Sequence, residues 1–264
     1  MKKVALILIS LIGAAGMASA SSIFSYSATA APGNSPSDGI DVFNGNAPVE
    51  VWSVAVVPSG TGGGAGAYYG TAFAGETLSG WQIWSSPFGT GTGNGGSVDA
   101  TTTFAGGALA IGQTVSIDFE MRAIDPGKEV GVSLLNGSGD AITFGIFGGE
   151  PNATYPYIGS GYYYTDAGST YASAGSMGYQ YQSQFNIAFT VTGADNYSAV
   201  AGSDTWSGTF SGSLIGMDVF NYGAGDASDV AFNNLTVVPE PSTWAMLAVG
   251  SMAMFGWRRV FRHS

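Results

Sequence analysis

The sequence predicts an all-β fold in which two antiparallel sheets pack as a sandwich. Short segments of β-branched and aromatic residues recur along the chain, and many of them alternate apolar with polar side chains. Turn-forming glycine, asparagine, aspartate and proline separate these segments at intervals of about 8–12 residues, as in sandwiches built from hairpins. The aromatic fraction of 13% is too high for a solvated linker, and no repeat of fixed length runs through the 42 glycines.

Nine segments carry the strand pattern. They are residues 49–57, 80–85, 113–121, 129–136, 140–148, 184–191, 204–212, 214–222 and 229–237. Residues 136–139 predict a hairpin turn, because asparagine and glycine tolerate the positive φ that such a turn needs. Segment 21–48 is rich in serine, alanine, proline and glycine, so we expect an exposed, flexible leader there. The sequence thus predicts one β-sandwich domain over residues 49–238.

The charge of the chain excludes one class of function. Between Ser21 and Val238 only Arg122 and Lys128 are basic, against 17 acidic residues, so this body carries a net charge of −15. Such a surface repels phosphate, and we expect no nucleic-acid partner. Cysteine is absent, so disulfides and thiolate chemistry are excluded and the core alone must stabilise the domain.

The N-terminus has the pattern of a secretory signal peptide. Lys2 and Lys3 precede an apolar segment, and small residues stand at Ala18 and Ala20. We expect cleavage after residue 20, so that the mature chain begins at Ser21.

The C-terminus combines three features. Pro239, Glu240 and Pro241 come first, and the uncharged run 243–257 follows them. Three basic residues close the pattern, namely Arg258, Arg259 and Arg262. Snorkelling arginines extend the run to about the 20 residues that a transmembrane helix needs, so we predict such a helix over 243–257 with its basic end in the cytoplasm.

These last 26 residues resemble the PEP-CTERM sorting signal of Gram-negative bacteria that make exopolysaccharide. The resemblance implies that Pro239, Glu240 and Pro241 are the recognition motif of an exosortase, a membrane cysteine transpeptidase. It also implies that the helix anchors the chain transiently in the inner membrane and that the arginines stop its transfer. The expected partners are therefore the exosortase and the secretion machinery, and the expected destination is the cell surface or the extracellular matrix.

Three stretches of the body resemble a concanavalin-like jelly-roll domain of secreted bacterial surface proteins. They read SGWQIWS, EVGVSLLNGSGDAITFGIFGG, and FTVTGADNYSAVAG continuing to DVFNYGAGDASDVAFNNLTV. The resemblance covers most of residues 65–237. It implies hairpins and core positions rather than a particular chemistry.

Catalytic chemistry has few candidates in the body. The one histidine, His263, lies in the C-terminal tail, so neither a Ser-His-Asp triad nor a histidine zinc site can form in the body. Residues 116–120 resemble the strand of jelly-roll glucanases that carries carboxylates on alternate residues, here Asp118 and Glu120. Ser116, however, stands where those enzymes have the nucleophilic glutamate. We therefore expect a non-catalytic protein, with a glycan-active hydrolase as the alternative; a solvent-facing polar edge is the structural explanation of the two carboxylates.

Two clusters are candidate binding sites. Asp218, Asp226 and Asp229, with Asn221, surround a glycine loop whose oxygens suit Ca²⁺, although the same residues are ordinary turn formers; we expect no other cofactor. Eight of the 13 tyrosines lie between residues 155 and 181. Tyrosine rings stack on sugars or simply cover a sheet, and we take the cluster as the candidate exopolysaccharide-binding face, with five candidate residues, Tyr155, Tyr157, Tyr162, Tyr163 and Tyr164.

Overall fold

The structure is a computed structural model of the 264-residue chain. It describes residues 52–57, 64–70, 78–86, 96–122, 124, 128–148, 161–180, 182–223 and 227–239, together with the backbone of three short strands at 24–27, 41–43 and 48–49. None of these residues forms a helix long and apolar enough to cross a membrane. The predicted helix 243–257 lies outside the described residues.

The described residues form 17 β-strands. In chain order they are β1 (Phe24–Ser27), β2 (Asp41–Phe43), β3 (Pro48–Val49), β4 (Ser53–Val57), β5 (Gly64–Gly70), β6 (Gly80–Ser86), β7 (Ser97–Thr103), β8 (Thr114–Met121), β9 (Lys128–Asn136), β10 (Gly139–Phe147), β11 (Gly161–Thr165), β12 (Ala172–Gly178), β13 (Phe185–Gly193), β14 (Asn196–Ala201), β15 (Asp204–Thr209), β16 (Gly216–Gly223) and β17 (Ala227–Val238).

The strands form two antiparallel sheets, which confirms the predicted sandwich. The seven-stranded sheet has the order β12-β11-β10-β9-β16-β7-β4. The ten-stranded sheet runs β15-β14-β13-β8-β17 and then divides along one edge of β17: β6 pairs with the first part of that strand and is followed by β5, while β1 pairs with the last part and is followed by β2 and β3. Strands β1 and β2 lie within the segment predicted as a leader, so the structure differs there from an unstructured linker.

Alternating apolar side chains place the core between the sheets. In β8 the residues Val115, Ile117 and Phe119 are buried, and Ser116 and Asp118, which alternate with them, are partly exposed. The same period of two holds in β13, and strands with this period bury one face. The two sheets therefore share one hydrophobic core.

Aromatic rings connect the two sheets across this core. Phe144 of β10 stacks on Trp206 of β15, with ring centroids 5.2 Å apart. Its ring also stacks on Tyr162 at 5.1 Å and meets the edge of Phe185 at 6.5 Å. Near the other end of the sandwich Trp52 contacts Phe232 at 4.8 Å. Because the chain contains no cysteine, this packing has to hold the sheets together without disulfides.

Removing the ring of Phe144 tests this account. The side chain is 1% exposed and touches three other rings, so we expect Phe144→Ala to lower the free energy of unfolding by about 3–5 kcal/mol. The matched control Val200→Ala changes an apolar strand residue that is 43% exposed and should alter stability by less than about 0.5 kcal/mol. Urea denaturation measures both, and equal losses in the two variants would contradict the assignment of Phe144 to the core.

Candidate functional site

The outward face of the seven-stranded sheet holds a cavity of about 340 Å³. Strand alternation creates this face: Ile142 and Phe144 of β10 point into the core, whereas Ala141 and Thr143 line the cavity. Its walls combine three carboxylates with four aromatic rings. These residues are Glu129, Asp140, Asp166, Tyr163, Tyr171, Phe220 and Tyr222, and we call the space the outer cavity.

One wall is built from stacked aromatic side chains around Tyr163. Its ring lies 5.0 Å from Phe147 and 5.0 Å from Tyr171. Its hydroxyl donates a hydrogen bond to Glu129 Oε1. The ring can lie across the sheet because β10 has glycine beneath it: a Cβ on Gly145 would stand 2.7 Å from the Tyr163 hydroxyl.

Tyr171 adopts a backbone conformation that bulky residues rarely use. Its φ is 49°, in the left-handed region, where a residue other than glycine is strained. Its amide donates a hydrogen bond to Thr165 Oγ1 at 3.1 Å. The strained turn directs a half-buried ring into the outer cavity.

The opposite wall is built on β16. Tyr222 stacks on Phe220 with ring centroids 4.7 Å apart and 16° between the planes. A Cβ on Gly131 would lie 2.8 Å from Phe220 Cζ, so glycine again makes room for a ring. The Tyr222 hydroxyl donates to Asp99 Oδ1 and stands 3.4 Å from Asp218 Oδ2.

Several carboxyl groups lie close together on this face, and their pKa values are raised. Burial, together with the nearby carboxylates of Asp99 and Asp140, raises the pKa of Asp218 to about 8. Burial also raises the pKa of Glu129 and of Asp140. Asp218 Oδ1 is buried and accepts no hydrogen bond within the described part of the chain. Burial likewise raises the pKa of Tyr222, so its hydroxyl stays protonated and acts as a donor.

The structure divides the predicted tyrosine cluster between two faces. Tyr163 lines the outer cavity, as the candidate binding face requires. Tyr162 instead packs in the core against Phe144, and Tyr164 stacks on Trp206 at 5.9 Å. Neighbouring residues of a strand point to opposite faces, so these three side chains cannot form one surface. Tyr155 and Tyr157 lie outside the described residues.

The glucanase-like strand lies on the other sheet. Asp118 and Glu120 belong to β8, while the outer cavity lies on the seven-stranded sheet. Asp118 accepts hydrogen bonds from Asn186 and Asn234, each at 2.9 Å. Glu120 is fully buried and accepts a bond from the amide of Leu78 at 2.6 Å, so it is not the solvent-facing residue that the polar-edge explanation expected.

The proposed Ca²⁺ cluster is also divided. Asp218 faces outward beside Asp99, whereas Asn221, three residues later in the same strand, lies against Ser85, whose hydroxyl is 3.4 Å from Asn221 Oδ1. The side chains of Asp226 and Asp229 lie outside the described residues. Within the described ranges, no group of three or more His, Cys, Asp or Glu residues is arranged to hold a metal ion.

Sequence reasoning missed most of the outer cavity. It singled out Tyr163 in the lining and Asp218 beside it, but neither Glu129 and Tyr222 in the lining nor Asp99 beside them. The available signal was the polar half of the alternation in β7, β9 and β16, which marks the outward positions without showing that the three strands are neighbours.

Most of the terminal sorting residues lie beyond the described part of the chain. Pro239 follows β17 directly and is described. The others are Glu240, Pro241, Arg258, Arg259 and Arg262 at the C-terminus, and Ala18, Ala20 and Ser21 at the N-terminus.

Replacing Asp218 should change how stability depends on pH. Its folded-state pKa lies above the ordinary value of 3.8, so the favourable contribution of its proton is complete below about pH 4 and is lost as pH rises through about 8. The amide introduced by Asp218→Asn stays neutral at every pH, so we expect this variant to gain stability relative to wild type from pH 4 to 8, by roughly 2–4 kcal/mol, with no further gain above. Urea denaturation at pH 4, 6, 8 and 9 measures the free energy of unfolding of both proteins. If the two free energies changed with pH in parallel, the raised pKa of Asp218 would be contradicted.

Comparison with known proteins divides the chain into two parts. Residues 237–260 match the PEP-CTERM protein-sorting motif. No curated protein matches the chain.

Solved structures similar to the chain include an alginate lyase from Corynebacterium sp., with 16% identity, 71% of this chain and 93% of that chain covered, and a TM-score of 0.45. They also include the Emp47p carbohydrate recognition domain, with 10% identity, coverage of 79% and 95%, and a TM-score of 0.42. An endo-1,3-beta-glucanase from Streptomyces sioyaensis has 11% identity, coverage of 84% and 97%, and a TM-score of 0.42. These likenesses concern the fold alone, and the motif at residues 237–260 identifies the chain as one that carries a PEP-CTERM sorting signal.

Proposed function

We propose that this is an exported, exosortase-processed protein of the cell surface or extracellular matrix, and that its β-sandwich binds exopolysaccharide without cleaving it. The observation that carries the binding part is the outer cavity, in which aromatic faces stand beside carboxylate oxygens. The sorting motif at residues 237–260 supports the export part.

The composition of the outer cavity suits a sugar ring. Half-buried tyrosines such as Tyr171 and Tyr222 offer flat apolar faces on which a pyranose can stack. Carboxylates are strong acceptors for the hydroxyl donors of a sugar. The strained backbone of Tyr171 supports a binding role for the cavity, because strain of this kind persists mainly where function requires it.

The arrangement favours binding over hydrolysis. Retaining or inverting hydrolysis needs a pair of carboxyl groups flanking one bond, one of them free to act as an acid and the other as a base or nucleophile. Asp118 and Glu120, the pair that resembles glucanases, are instead engaged by Asn186, Asn234 and the amide of Leu78. The body also lacks histidine and cysteine, which excludes the common nucleophile–base pairs.

Retention on the host's own polysaccharide tests the binding proposal. We expect Tyr171→Ala, in protein recovered from the cell surface, to weaken retention about 2- to 10-fold. This factor corresponds to the loss of one aromatic contact, which contributes roughly 0.5–1.5 kcal/mol. The matched control is Tyr68→Ala, a partly buried tyrosine on β5 of the other sheet, which should leave retention unchanged.

Two results would count against this proposal. Equal loss of retention in both variants would show that the outer cavity is not the binding face. Release of reducing ends from the polysaccharide would show that the protein is catalytic.

Mass spectrometry of the surface form tests the processing proposal. Signal-peptide cleavage after Ala20 predicts a chain that begins at Ser21, and exosortase processing at the motif predicts that it lacks the C-terminal helix and arginines. The substitution Glu240→Ala should leave the unprocessed chain in the membrane fraction, since the recognition motif is lost. Recovery of surface protein that still carries His263 would contradict removal of the anchor.

A further inference from the structure

The charges around the outer cavity are all of one sign. Glu129, Asp140 and Asp166 line it, and Asp99 lies beside Tyr222 at its wall. Asp218 lies there too, but a pKa raised to about 8 keeps its carboxyl group protonated and uncharged at pH 6. Asp166 is held by the hydroxyl of Tyr197 at 3.0 Å and by two backbone amides, so it is fixed as an acceptor.

The body has no basic side chain left to neutralise these carboxylates. Arg122 and Lys128 are its only basic residues, and it contains no histidine. Lys128 is fully buried, and its Nζ donates to Ser85 Oγ and to the carbonyl of Gly96 at 2.9 Å. Arg122 follows β8 in the ten-stranded sheet. Among the described residues, therefore, none that lines the outer cavity is basic, and a cationic ligand would supply the missing positive charge.

A second observation points to a cationic ligand. The half-buried rings of Tyr171 and Tyr222 stand in the same walls as the carboxylates, and aromatic faces combined with carboxylates form the type of site that binds organic ammonium groups. The described carboxylates are not arranged as a metal site, so an ammonium group fits better than a metal ion.

We propose that the outer cavity selects glycans that carry protonated amino groups, namely polymers of de-N-acetylated hexosamine, over neutral polymers and over polyuronates. This inference rests on the proposed function and specifies its ligand class. Sugar faces stack on the tyrosines while the ammonium group pairs with Glu129 and Asp140. Polyuronates are rejected because their carboxylates meet carboxylates of the protein.

Binding of three oligosaccharides tests the proposal. The probes are a glucosamine hexamer, the N-acetylglucosamine hexamer of the same backbone, and a hexameric uronate, each titrated calorimetrically at pH 6 and 150 mM salt into the mature protein recovered from the cell surface. We expect the glucosamine hexamer to bind at least 10-fold more tightly than its acetylated counterpart, and the uronate not to bind.

Variants separate specific recognition from general attraction to an acidic protein. Glu129→Gln and Asp140→Asn together should reduce the preference for the amine at least 5-fold, whereas Asp118→Asn, one charge removed on the other sheet, should preserve it. Tyr171→Ala leaves the net charge unchanged and should still weaken binding of the glucosamine hexamer. Circular dichroism and melting temperatures of each variant confirm that it is folded.

Each remaining outcome is informative. Equal affinity for the amino and acetylated hexamers, lost in Tyr171→Ala, would overturn this inference and leave the proposed function standing. A preference for the amine that Asp118→Asn abolishes equally, or that Tyr171→Ala leaves intact, would show attraction outside the cavity and would also overturn the inference. Failure to bind any of the three probes or the host polysaccharide would overturn the proposed function itself.

Discussion

Burial of one face of every central strand between two sheets is the constraint on which the rest of this structure depends. Without cysteine, no disulfide links the two sheets, so apolar and aromatic contact must supply the stability. Successive side chains of a strand point to opposite faces, so the residues between the core positions point away from the core. Packing of the core fixes which positions of each strand point inward, and the positions between them therefore face the outer cavity. Phe144 and Thr143 are adjacent in β10, yet one is core and the other lines the cavity.

The shape of the outer cavity depends on small residues as much as on large ones. Gly131 and Gly145 are opposite each other in neighbouring strands of the sheet. Because neither has a Cβ, the rings of Phe220 and Tyr163 can lie close over the backbone instead of standing away from it. A side chain at either position would meet a ring or the neighbouring backbone at less than 3 Å. The glycines thus set the depth of the cavity that the aromatic walls enclose.

Charge distribution gives the same face its chemical character. The body is strongly acidic, with a net charge of −15 between residues 21 and 238, and net charge far from zero favours solubility. On the seven-stranded sheet, however, several carboxyl groups are partly or fully buried, and burial raises the pKa values of Glu129, Asp140 and Asp218. Tyrosine hydroxyls donate to two of the neighbouring carboxylates, Asp99 and Glu129, and so reduce the repulsion. A ligand that brings a positive charge would complete this arrangement.

The sequence by itself determined the fold class, most of the strands and the terminal address. Strand periodicity is a local property, so the predicted segments other than 49–57 each overlap one strand of the structure; 49–57 overlaps β3 and β4. The sorting signal is read by other proteins as a linear motif, so it too is visible without a fold. Seven of the described strands escaped prediction, namely β1, β2, β5, β7, β11, β12 and β14. Of these, β7 and β12 consist largely of Ser, Thr, Ala and Gly, and their neighbours in the sheet impose the extended conformation.

Only the tertiary structure decided which residues form the candidate site. The sequence analysis grouped Tyr162, Tyr163 and Tyr164 as one candidate face, whereas the structure buries Tyr162 in the core and places Tyr163 in the lining of the outer cavity. Tyr222 and Asp99, joined by a hydrogen bond, are 123 residues apart in the chain and meet because β16 and β7 are neighbours in the sheet. Strand order is set by the burial of the whole core, which is a non-local sum over both sheets, so no local pattern in the sequence encodes that contact.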